Sequence, residues 1–231
     1  MSELNYQLAE HLKLLELDGL PEAWLKKQVD QALGNQASGI QASGALTELA
    51  LPEIKVLAEG CSKCRLCETR NQVVFGSGNE RNPLIAFIGE GPGAEEDKQG
   101  VPFVGPAGKL LTDAIEKGLK LRREDLYICN VVKCRPPENR APLPDEVAAC
   151  TPYLYRQLEL VNPKVIITLG QPAQMCTTGI DIGITKLRGQ WQEWRGFPLM
   201  PTLHPAYLLR NPAAKKFFWE DLQAVMKRLG I

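Results

Sequence analysis

The chain has 231 residues, 44% of them hydrophobic and 23% charged. That is enough for one well-packed core with or without an appendage, in globular rather than disordered proportions. Lys plus Arg and Asp plus Glu both number 27, so the formal net charge is zero, and any surface for nucleic acid has to be a local basic patch.

No run of about 18 apolar residues is present, so no membrane-spanning helix is expected. The N-terminus is acidic, interrupted by charges and unlike a secretory signal peptide. The expected compartment is the cytoplasm, where disulfides are rare. Seven cysteines there call for metal binding or ordinary burial.

Leu4, Leu8, Leu12, Leu14 and Leu15 fall at roughly helical spacing, Gly19 and Pro21 break the pattern, and a second helical stretch runs to Leu33. Residues 1–33 are therefore read as a helical extension. It is first of all an arm packed on its own protein, with docking of a protein partner as the second reading. Residues 34–45, GNQASGIQASGA, are a flexible linker, and the main domain takes 46–231.

Beyond the linker, strand and helix signals alternate. Residues 83–89, PLIAFIG, form a short apolar run that suits a buried parallel strand. A helix over 106–120 follows, with Pro106 at its start. Residues 126–132 are a second strand and 144–160 a helix. Residues 164–169 are a third strand, followed by a helix from Gln171. A fourth strand covers 197–203 despite two prolines, and 212–229 is the last helix. The expected fold is α/β: a three-layer α/β/α domain around a central parallel sheet of about four strands. Ligands of such folds bind at the carboxyl ends of the strands, where Glu90, Asn130 and His204 fall.

Cys61 and Cys64 form a C-x-x-C pair extended by Cys67, and Cys134 and Cys150 follow far downstream. A thiolate cluster needs four soft ligands converging on one point. The alternative is a set of reduced, buried thiols, which is the reading adopted for Cys129 and Cys176. A zinc ribbon would want a second C-x-x-C, and there is none.

Three segments carry the functional argument: GEGPGAEEDKQGVPFVGPAG at 89–108, NVVKCRPPENRAP at 130–142 and LHPAYLLRNP at 203–212. Singly, each is a weak signal. In this order, with the CSKC pair at 61–64 and the spacing of Cys134 and Cys150, they resemble the family 4 uracil-DNA glycosylases over about residues 55–230. The resemblance implies hydrolysis of the N-glycosidic bond of uracil in DNA after base flipping. It implies a [4Fe-4S] cluster on Cys61, Cys64, Cys134 and Cys150, with uracil-containing DNA as partner and a monomeric enzyme.

The same resemblance assigns roles. Asn130 reads the O4 and N3–H edge of uracil, for which an amide is suited and which cytosine presents reversed. Phe103 is the stacking platform. His204 donates to O2 as negative charge develops there. Glu90 positions the attacking water and stabilises the cationic sugar, and Gly91 lets the backbone approach the substrate. Glu96 has a second role at the site, while Asp97 is structural. Leu208 and Leu209 are wedge candidates for the gap left by the flipped base, and Arg210 is a phosphate ligand. Lys133, Arg135, Arg140, Lys215 and Lys216 are candidates for the basic patch. The rival from another class is a non-catalytic DNA-associated module of a replication or polymerase complex.

Overall fold

The computed structural model of the protein describes Leu46 and residues 48–231. The extension over 1–33 and the linker over 34–45 lie outside the described residues. The sheet has six strands: β1 (Ser77–Gly78), β2 (Ile85–Gly89), β3 (Tyr127–Asn130), β4 (Val165–Leu169), β5 (Gln192–Trp194) and β6 (Phe197–Thr202). Their order is β1-β3-β2-β4-β6-β5. The central β3, β2, β4 and β6 are mutually parallel, as the apolar runs imply. The correction lies at the edges, where β1 and β5 each add an antiparallel strand, making the sheet mixed.

Every residue of β2, β3 and β4 is buried, which requires cover on both faces. On one face Ile85, Phe87, Ile128, Ile167 and Met200 join a core with Leu111, Leu208, Phe218, Leu222 and Val225. Those partners come from α3 (Pro106–Asp113), α7 (Pro205–Arg210) and α8 (Lys215–Leu229). The alternate residues Ala86, Ile88, Tyr127 and Ile166 are equally buried. On that side lies α4 (Pro144–Val161), whose Gln157 donates to the Tyr127 hydroxyl at 2.6 Å. The remaining helices are α1 (Leu51–Glu59), α2 (Ala94–Gln99), α5 (Gln171–Thr178) and α6 (Ile184–Leu187).

One local departure from the sequence reading, and one strand it expected despite its prolines, have physical causes. The helix expected over 106–120 is α-helical only to Asp113 and continues as a wider π turn over Ala114–Leu119. There Gly118 lies against the Trp219 ring, where a Cβ would meet Cζ3 at 2.7 Å. In β6, Pro201 is tolerated because the pairing with β5 stops at Leu199. The Pro201 carbonyl accepts instead from the Gly189 N–H at 3.0 Å.

The topology turns back on itself at β2. The chain passes from β2 to β3 on one side and then crosses to β4 on the other. A crevice opens at such a reversal, at the carboxyl ends of the strands. The far side of that crevice is held by a buried clamp. Asp221 of α8 accepts from Thr202 at the end of β6 and from Arg188 Nε at 2.9 Å. Burial pushes the Asp221 carboxyl up, opposed by these donors. The clamp fixes the strand end from which His204 emerges.

Candidate active site

A cleft of about 510 Å³ lies at this reversal, lined by residues of all three segments, among them Glu90, Gly91, Glu96, Phe103, Asn130 and His204. These residues are spread over more than a hundred positions of sequence. The parallel register that sets Gly89 opposite Asn130 brings the first two segments together.

The floor is the tightest part. Asn130 is 1% exposed, and its Oδ1 is buried without a hydrogen-bond partner among the described residues. Such an orphan is costly unless something else completes it. Beside it lies Phe103, buried and held at φ 54°, a left-handed conformation rare for a bulky residue. Gly89 is what lets the two meet. A Cβ there would stand 2.4 Å from Asn130 Oδ1 and 2.5 Å from Phe103 Cζ.

Glu96 supports this floor from behind. Its carboxylate accepts from the N–H groups of Gly93 at 3.1 Å and of Val104 and Gly105 at 2.9 Å each. It thus clamps the glycine loop to the loop that carries Phe103. Asp97 is 1% exposed and faces away, accepting from the Asn71 N–H at 2.9 Å and from the Asn71 side chain. Its place is structural, as expected.

His204 caps α7, and its Nδ1 accepts from the Ala206 N–H at 3.1 Å. That bond leaves the ring proton on Nε2. Burial, aided by the Arg210 charge and opposed by Glu96, pushes the imidazole down to about 4. At neutral pH the ring is therefore an uncharged N–H donor. Its centroid is 5.8 Å from that of Phe103. Gly170, at φ 85°, passes beneath it, where a Cβ would touch the His204 Cβ at 3.0 Å.

Glu90 follows β2 directly. Its carboxylate has no hydrogen-bond or ion-pair partner among the described residues, and burial raises its pKa above the ordinary carboxylate value. Such a group is a basic, underused acceptor facing the cleft. Gly91 lines the same wall, where a Cβ would come within 2.8 Å of Val132 Cγ2.

The rim departs from the sequence reading in several places. Leu208 is 0% exposed and belongs to the core, so its side chain cannot wedge into DNA. Leu209 is 45% exposed, beside an exposed Arg210 that lines the cleft. Tyr207 also lines the cleft and is exposed, and nothing in its sequence context marked it. Lys133 is 2% exposed and leaves the basic patch. Arg140 stays at the rim, with Glu146 accepting from Nη2 at 2.6 Å and Nη1 at 2.8 Å. The Arg140 hydrogen bonds hold the Glu146 carboxyl below its usual range. Lys215 and Lys216 are exposed at the start of α8.

Away from the cleft, Cys61, Cys64, Cys134 and Cys150 line one pocket. Cys67 lines it too, so position alone does not separate it from the others. Among the described residues no three His, Cys, Asp or Glu side chains stand close enough to hold a single metal ion. A four-iron cube spaces its thiolates more widely than one tetrahedral ion does, and the donor set suits it. Arg70 donates to Cys134 Sγ at 3.2 Å and the Lys133 N–H to Cys150 Sγ at 3.3 Å, the kind of outer hydrogen bonds that support cluster sulfurs. Cys129 is buried in β3 and Cys176 lies on α5, where its Sγ is 3.6 Å from Thr151 Oγ1.

The profile of the Uracil DNA glycosylase superfamily matches residues 75–223. A type-4 uracil-DNA glycosylase of Thermotoga maritima is 47% identical over 177 residues, which is 74% of this chain and 91% of the relative. A second, of Saccharolobus solfataricus, is 46% identical over 180 residues, covering 74% and 82%. The catalytic reading stands, and that of a non-catalytic module is not favoured. The chain belongs to the uracil-DNA glycosylase superfamily, and its function is the repair of DNA by hydrolytic removal of uracil.

Proposed function

We propose that the cleft binds a flipped uracil with Asn130 as its reader, His204 as the donor to the departing base and Glu90 as the group facing the sugar. The observation that carries the reading is the orphaned Asn130 Oδ1 at the cleft floor. A uracil N3–H donates to that oxygen, while the amide N–H donates to O4. Cytosine presents an acceptor at N3 and leaves the orphan unsatisfied, at a cost of about 1–3 kcal/mol. The Phe103 ring, locked by Gly89 and the Glu96 clamp, offers a fixed face for the base. Little side-chain freedom is then lost on binding.

As the glycosidic bond breaks, negative charge moves onto the ring. The His204 Nε2–H is the donor for O2, and as a neutral imidazole it keeps its proton while the base departs as an anion. A donor aimed at developing charge lowers the barrier because its bond strengthens between ground and transition state. Glu90 lines the same cleft, where a carboxylate stabilises the cationic sugar and orients water. Leu209 fills the gap in the stack, and Arg210 with Arg140 and the lysines of α8 holds phosphates.

Cys61, Cys64, Cys134 and Cys150 would hold a [4Fe-4S] cluster, which when bound cross-links the 61–70 segment to the 134–150 segment. The protein acts as a monomer in the cytoplasm. The test is incubation with a uracil-containing oligonucleotide and a thymine control, followed by alkaline cleavage. Strand scission confined to the uracil position is expected, and none at any enzyme concentration overturns the reading.

A further inference from the structure

Lys133 is placed as few lysines are. It is 2% exposed, with Nζ donating to the Asn130 carbonyl at 2.8 Å and to Gln157 Oε1 at 2.6 Å, and 5.7 Å from the centre of the Phe75 ring. Gln157 is held in that orientation by its own donors, which reach the Phe75 carbonyl at 2.8 Å and the Tyr127 hydroxyl at 2.6 Å. All these contacts are neutral. No carboxylate among the described residues lies within ion-pair reach of the ammonium. A buried cation without an anion is strongly unfavourable, so the counter-charge has to come from elsewhere.

The same residue reaches the cysteine pocket by a second route. Its backbone N–H donates to Cys150 Sγ at 3.3 Å, its neighbour is Cys134, and it lines the pocket itself. Its carbonyl accepts from Val74 at 2.8 Å, which anchors the chain running on from Cys61, Cys64 and Arg70. Four thiolates around a doubly charged four-iron cluster carry a net charge of minus two. That is the missing anion.

We propose that Lys133 is a positioning residue that couples the cysteine-bound cluster to the base reader, its ammonium balancing the thiolate charge while holding the Asn130 carbonyl in place. The inference rests on the cysteine assignment given above. It gives the cluster a bearing on uracil recognition with no part in the chemistry, since the field that keeps Lys133 buried also fixes the strand end carrying Asn130. Lys133 touches neither substrate nor reacting atoms.

The test uses the full chain with its cluster in place, in wild-type form and as Lys133→Met, which keeps length and removes charge. Iron content, the cluster's reduction potential and steady-state excision are measured on the same preparations. Loss of a nearby positive charge disfavours added electrons, so the potential is expected to move negative. A buried carbonyl deprived of its donor costs roughly tenfold, expected in kcat, with KM changed much less because DNA contacts are untouched. An unchanged potential with lower kcat makes Lys133 a plain strut and overturns the coupling. A shifted potential with unchanged kcat overturns the link to Asn130. Should Lys133→Met fail to fold, Lys133→Gln decides, because it removes the charge and keeps an N–H donor on the same buried stem. The potential must then move negative, and an unchanged potential overturns the proposal. Iron-free preparations of fully active wild-type protein would instead defeat the cysteine assignment beneath it.

Discussion

Replacing Gly89 with alanine should disable uracil reading through a single added methyl. The new Cβ would stand 2.4 Å from Asn130 Oδ1, 2.5 Å from Phe103 Cζ and 2.7 Å from Phe103 Cε2. Real Cβ atoms keep well over 3 Å from such neighbours, so something has to move by close to an ångström. The backbone cannot yield easily, because Gly89 is paired with Asn130 in the centre of the sheet. Phe103 cannot swing back freely from its left-handed φ of 54°. The Asn130 amide is therefore the group displaced, and misplacement by about 1 Å costs on the order of a hundredfold in rate, or about 2.7 kcal/mol of barrier. Overpacking should cost about 1–3 kcal/mol of stability, and each kcal/mol lowers Tm by roughly 2–4 °C in a domain of this size. The assay is single-turnover excision from a uracil oligonucleotide beside a thermal melt, well below the melting range. Gly183→Ala is the control, since its Cβ would meet nothing within 4 Å. A Gly89→Ala rate within threefold of wild type, in folded protein, would refute the argument that this glycine packs the reader.

His204→Ala should lose about 2.7–4 kcal/mol of transition-state stabilisation, a hundred- to thousandfold in single-turnover rate. Affinity for uracil-containing DNA, titrated at fixed salt, should largely survive, and a loss below tenfold removes His204 from the leaving-group role. The pH profile follows from two opposite shifts. Glu90 must be ionised and its pKa is raised by burial, so activity should fall with acid from above the ordinary carboxylate range, and Glu90→Gln should flatten that limb. His204 is pushed down to about 4 and stays neutral above it, so no inflection near the usual imidazole value is expected, and one that vanished in His204→Ala would contradict the neutral donor. Purified protein should be brown, absorbing at about 400 nm as thiolate-ligated iron clusters do. Cys67→Ser should keep that colour, while Ser at Cys61, Cys64, Cys134 or Cys150 should lose it, and zinc without iron on elemental analysis would contradict the assignment.

The fold was legible where burial is two-sided. β2, β3 and β4 are apolar runs because both their faces are covered, and β6 was read as a strand despite its prolines. β1 and β5 left no such trace. Ser77–Gly78 and Gln192–Trp194 are strands only because a neighbour offers its edge. At the site, chemistry was easier to read than exposure. Glu90, Phe103, Asn130 and His204 stood out by residue type and segment, and the parallel register brings them to one cleft. Leu208 and Leu209 are adjacent and chemically alike, and only the packing of α7 buries one and exposes the other. Lys133 looked like a surface charge because lysine almost always is one. Its burial depends on Gln157, twenty-four positions away in sequence, and no local pattern announces such a partner. Glu96 was marked for the site, but its three backbone donors come from two loops that sequence does not show to be adjacent.

The two edge strands have a consequence for how copies of this protein behave beside one another. An exposed edge is an open ladder of N–H and C=O groups that invites strands from other molecules. Among the described residues the outermost rungs are two residues on one side and three on the other. Pairing across so few rungs cannot offset the entropy of bringing two chains together. Gly78, at φ 110°, further bends the outer ladder, and a Cβ there would run into the Leu126 carbonyl at 1.8 Å. The parallel strands that build the cleft are thus shielded from edge-to-edge growth by segments too short to be copied. Among the described residues, short edges rather than charge are what this sheet sets against strand pairing, in a chain whose net charge is zero.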